Sequence, residues 1–254
     1  MPGTRHLWRI GHACCALAIF LVTLLGGPAA RAVTIARADA PRHCVSAPES
    51  QDEWGDLDGN DTCRVVAFGV VRGSTPPIYY QLQAYLSDGQ KPETEQVQGS
   101  FIVGGPLNDG AGVVLLVATP GGTTLTKLKG WSGGDAVITA PRLVRTPQGA
   151  ILVVEMGADV SSSPNDDAIF RVTNGRWTEV TDDWSAKIEI PVGVEQWHGN
   201  AMDWPTLRAF GALWKPHDPQ CCPTGGSYIA QLRLEGNHLR LASVRISRGE
   251  LSFP

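Results

Sequence analysis

A chain of 254 residues with 21 Lys and Arg against 25 Asp and Glu carries a formal charge of −4, which disfavours nucleic acid and anionic membrane surfaces as partners. Residues 1–32 contain Arg5, Arg9 and Arg31 and no acid, so their removal takes −4 to −7. The 222 residues that follow are enough to bury a sizeable core, and one large β domain is expected rather than two small ones.

The chain opens with Arg5, His6 and Arg9, runs apolar over 13–25, and then reaches small residues ending in Ala30-Arg31-Ala32. That order reads as a secretory signal peptide over 1–32. An apolar run of roughly a dozen residues falls short of the about 20 that span a bilayer. Export to the periplasm or the extracellular space, with no permanent membrane anchor, is therefore the expectation. Cleavage is placed after Ala32, with Ala38 as second choice. Residues 33–43 read as a leader or linker and 44–254 as a single β-rich domain.

From there the pattern is β almost throughout: short apolar runs alternate with Gly, Pro and Asn punctuation. Strands are expected over 65–71, 78–86, 101–103, 113–118 and 123–128, with turns at Ser87-Asp88-Gly89 and Pro120-Gly121-Gly122. Runs 136–144 and 150–155 flank Thr146-Pro147-Gln148-Gly149 and predict a hairpin. Two further hairpins are expected, 169–172 with 176–180 around Asn174-Gly175 and 228–234 with 238–246 around Gly236-Asn237, because these turn residues tolerate positive φ. Helix signals are few. One turn over 184–188 can be capped by Asp182-Asp183, and 207–213 alternates as a strand although Asp203 and Pro205 imitate a helix start. The fold class is all-β, a mainly antiparallel meander or sandwich-like arrangement with few short helices. The rhythm of 140–180 leaves a partial propeller as the alternative.

Four cysteines lie beyond residue 32: Cys44, Cys63, Cys221 and Cys222. An even count in an oxidising compartment reads as disulfides. Cys44 with Cys63 is the favoured bridge. Cys221 and Cys222 are then left as a vicinal disulfide or as thiols.

Trp177-Thr-Glu-Val-Thr-Asp182, Trp184, Ile190-Pro191-Val192-Gly193-Val194, Asp203, Thr206-Leu207, Leu213-Trp214 and Cys221-Cys222-Pro223-Thr224-Gly225-Gly226 form a recognisable series, matched upstream by Ser100 to Gly105 and Gly110 to Leu116. In these segments, which cover most of 99–246, the chain resembles a group of uncharacterised secreted proteins of Gram-negative bacteria. The resemblance implies export and a β-rich domain, and no activity.

Four patterns carry candidate chemistry. Trp177, Trp184, Trp197, Trp204 and Trp214 crowd a short stretch and suit either a core or a stacking face for a glycan or other small ligand. Asp56, Asp58 and Asn60, with Gly59 and Asp61, resemble a calcium loop. The early Gly59, and Ala67 where a bidentate Glu belongs, leave a weak calcium site beside the simpler reading of an acidic turn. His217 and Asp218 beside Cys221 and Cys222 could offer metal or redox chemistry, or a pinned loop. Gly130-Trp131-Ser132-Gly133-Gly134 matches a nucleophile elbow, but the β-branched, Pro141-containing sequence after it does not supply the required helix.

No nucleophile, base and orienter stand in a defined spacing. The favoured reading is thus a non-catalytic exported module that binds a protein or small-molecule partner. The alternatives are an envelope hydrolase using Ser132 or an Asp203–His198 pair, and a metal or redox protein centred on Cys221-Cys222.

Overall fold

The computed structural model describes residues 32–45, 62–86, 94–97, 100–103, 110–133, 136–158, 167–197, 199–219 and 221–248. Seventeen strands build three sheets among these residues. The first sheet holds β1 (Thr34–Ala36), β2 (Thr62–Val70), β3 (Ile78–Leu86), β6 (Gly110–Ala118) and β7 (Thr124–Gly133) in the order β1-β7-β6-β3-β2. The second runs β14 (Ala201–Asp203), β15 (Arg208–Leu213), β16 (Gly226–Glu235), β17 (His238–Ser247), β13 (Arg176–Asp182), β12 (Ala168–Thr173), β10 (Gly149–Val154) and β9 (Arg142–Thr146). A small third sheet pairs β11 (Met156–Ala158), β8 (Ala136–Thr139), β5 (Ser100–Val103) and β4 (Thr94–Val97). The fold is all-β, and its two larger sheets curl. The expected turn over 184–188 is a single 3₁₀ turn at Ser185–Lys187.

Alternation along the strands explains how the layers stack. On β10, Leu152 and Val154 enter one core with Phe170, Trp131 and Leu82, while Ile151 and Val153 enter a second with Ile169, Trp204 and Tyr228. Successive residues of a strand face opposite ways, so β10 and β12 are apolar on both faces and form the shared wall of two cores. On β3, Ile78, Leu82, Ala84 and Leu86 face the first core; Tyr79, Gln81, Gln83 and Tyr85 face the other way.

That other face of β3 is covered by residues 33–45, of which the sequence suggested 33–43 as an uncommitted leader. Strand β1 pairs with β7, and Ala40 and Val45 are buried. The buried Gln81 side chain accepts from Val45 N at 3.0 Å and donates to Ala40 O and His43 O at 2.5 and 2.9 Å. Gln83 donates to Val45 O, and Tyr85 donates to Gln83. The Cys44–Cys63 disulfide, expected from the spacing, joins the segment to β2.

The hairpins lie where the turn residues put them. Asn174 and Gly175 have φ of 53° and 74°, and Gly236 has 58°. The run 136–144, read as one strand, is two: β8 ends at Thr139, β9 begins at Arg142, and Pro141 between them has no N–H for the ladder. Residues 140–180, whose rhythm suggested a propeller blade, supply the neighbouring strands β9, β10, β12 and β13, while β11 goes to the third sheet. The last of the neighbouring strands is not a blade edge, because β13 continues into β17 through the one parallel pair among the described strands.

Candidate functional site

The five tryptophans do not share a surface. Trp177 is in the first core, Trp184 and Trp204 are in the second, and Trp214 is buried; Trp197 alone is half exposed, at 49%, and meets Trp214 edge to face at 6.5 Å. The apolar cost of exposing an indole explains the division: strands with two inward faces offer enough interior to take four of the five. A continuous stacking face over this series, one of the two readings that the sequence left open, is therefore not formed.

Trp177 nevertheless borders a cleft. A half-open cavity of about 270 Å³ is lined by Gly73, Thr75, Leu143, Gly149, Ala150, Arg171, Val172 and Trp177. Its parts come from the loop between β2 and β3, the β9–β10 hairpin, and the β12–β13 hairpin. Gly73 and Gly149 sit at φ of 79° and 116°, and a side chain at Gly149 is absent from an otherwise open space. Trp177 Nε1 donates to Pro76 O at 2.8 Å, which ties the β2–β3 loop to the sheet and fixes the far wall. Arg171 Nη1 donates to Gly236 O at 2.7 Å. That bond reaches the β16–β17 turn on the face of β12 opposite to Val172 and Trp177, so the guanidinium points away from the apolar side of the cleft. Leu143 and Val172 supply apolar walls, and Thr75 a hydroxyl.

The remaining expected site residues scatter. Ser132 lies in the flat of β7, paired with Gly112 and buried, and shares a hydrogen bond with Tyr85. It stands on no strand-to-helix turn, so the elbow pattern has no elbow. Asp203 accepts a hydrogen bond from the Thr206 hydroxyl, closing the turn into β15. His198, Asp56, Asp58 and Asn60 lie outside the described residues. His217 is exposed on a turn at φ 77°, and among the described residues no three His, Cys, Asp or Glu side chains gather as a metal-holding group. Cys221 and Cys222 are exposed and joined as a vicinal disulfide.

Sequence reasoning found Trp177 and missed the rest of the cleft. Leu143, Ala150 and Val172 look like ordinary strand positions, and the two glycines read only as turns. No protein-family model matches the chain, and no curated protein matches it.

Proposed function

We propose that this chain is an exported, non-catalytic β module that binds a small apolar ligand in the cleft beside Trp177. Export is supported by the signal-like order of residues 1–32, by the Cys44–Cys63 bridge and by the resemblance to secreted proteins. The ligand reading rests on one observation: a cleft is walled by Leu143, Ala150, Val172 and Trp177 and bordered by Gly73 and Thr75 of the β2–β3 loop. Small-molecule sites have that composition, an apolar lining with few placed polar groups. A volume of about 270 Å³ suits a compact ligand with a flat apolar body against Leu143, Val172 and the Trp177 edge.

Benzyl alcohol has this chemistry, and glycerol is polar throughout. In ¹H–¹⁵N spectra, benzyl alcohol is expected to shift the amides of Gly73, Thr75, Gly149, Ala150 and Val172, and glycerol to leave them in place. Val172→Asp, which puts a charge in the apolar wall, should weaken the response by about ten-fold or more. Shifts centred elsewhere, or indifferent to Val172→Asp, would reject the cleft as the seat of binding.

A further inference from the structure

We propose that Cys221 and Cys222 form a thiol–disulfide exchange site that takes two electrons from a small dithiol. Cys44 and Cys63 show the contrast. Their bridge spans 19 positions, constrains the unfolded chain and is half buried. A bridge between adjacent residues closes no loop of chain, so that route to stability is closed to Cys221–Cys222. Both residues are exposed, and an attacking thiolate can reach either sulfur.

The segment also keeps its shape without the bridge. The Asp218 carboxylate accepts from Lys215 N and Thr224 N, both at 2.7 Å, and from the Thr224 hydroxyl at 2.8 Å. Those donors hold its pKa below the usual carboxylate range, so the clamp is charged at neutral pH. Gly225 N donates to Leu213 O at 2.8 Å, Cys222 N donates to Pro219 O at 3.0 Å, and Trp214 exchanges two 2.9 Å hydrogen bonds with Glu195. Opening the disulfide therefore breaks one bond in a loop that several others already fix.

The exchange balances as follows. A thiolate of the dithiol attacks one sulfur of the pair, the S–S bond breaks, and the other cysteine leaves as a thiolate. The second thiolate of the dithiol then attacks its own sulfur in the mixed disulfide and expels the first cysteine. The dithiol ends oxidised to a disulfide, the pair ends reduced, and the two protons of the dithiol finish on Cys221 and Cys222. A monothiol is a poor substrate, because the freed neighbouring cysteine sits beside the mixed disulfide and reverses the first step.

The site shares no residue with the cleft, so it is tested separately. The oxidised full chain is equilibrated with dithiothreitol at graded ratios, alkylated with iodoacetamide, and mapped by mass spectrometry. Cys221 and Cys222 are expected to become labelled together while Cys44–Cys63 remains closed, with far-ultraviolet circular dichroism unchanged. Glutathione at the same thiol concentration should reduce the pair about ten-fold less. Cys222→Ser treated with oxidised glutathione should form an adduct at Cys221; should that variant misfold, the dithiothreitol series on the unmodified chain decides alone. Labelling of Cys44 and Cys63 first or together with the pair, or a change in secondary structure on reduction of the pair, overturns the proposal.

Discussion

Asp167, just before β12, shows what this fold does to a carboxylate. Its oxygen accepts the Met156 N–H at 3.1 Å, yet burial outweighs that hydrogen bond and pushes its pKa from the ordinary 3.8 up to about 7; Glu155 and Asp182 add to the rise and Arg142 opposes it. The folded chain therefore keeps a proton that the unfolded chain releases between about pH 4 and about pH 7. Over that window the contribution of Asp167 to stability falls as pH rises, and above it the contribution is constant. Asp167→Asn retains an oxygen for Met156 and cannot ionise. Its denaturation midpoint is expected to gain on that of the parent between pH 4.5 and 7.5, and a difference independent of pH would refute the account. Such a residue is hard to find in sequence, since an Asp before a predicted strand looks solvated. Gln81 and Gln83 hide for the same reason: polar residues alternating along 78–86 read as a wet face, whereas here they bond to the backbone of 40–45. Trp204 carries the opposite signature, a buried indole N–H with no hydrogen-bond partner in the described structure.

At the scale of elements, turn chemistry was readable and attachment was not. Asn174-Gly175, Gly236-Asn237 and Pro147-Gln148 each join the strands expected of them, because local backbone preference alone decides a two-residue loop. Strands β1, β4 and β14 have three or four residues each and too little alternation to announce themselves. Strands β1 and β14 form against the longer β7 and β15, and β4 against β5, which has its own length. For β1 the attachment is reinforced by the Gln81 contacts and by Cys44–Cys63. Replacing both cysteines with alanine is expected to lower stability by about 3 kcal/mol, and to speed amide exchange in residues 34–45 more than in β10 or β12. Equal exchange in parent and variant over 34–45 would mean that the bridge does not hold this segment in place.

Across the whole molecule, the all-β class was legible because its cause, apolar alternation broken by turn residues, is local. The cleft was not, because Gly73 and Trp177 are 104 positions apart and meet only through strand pairing. The double-faced strands β10 and β12 carry a further expectation: neither core can be lost while the other stays, since both use the same wall. Urea unfolding followed by amide signals from Trp131 in one core and Trp204 in the other should give coincident transitions. Separated midpoints would show that the cores are independent. The place of β17 adds a consequence of timing. It stands between β16 and β13 in the second sheet although it follows both in the chain. During synthesis the keystone thus emerges after the stones on either side, and until it does, β13 and β16 each present an open edge to whatever meets the nascent polypeptide.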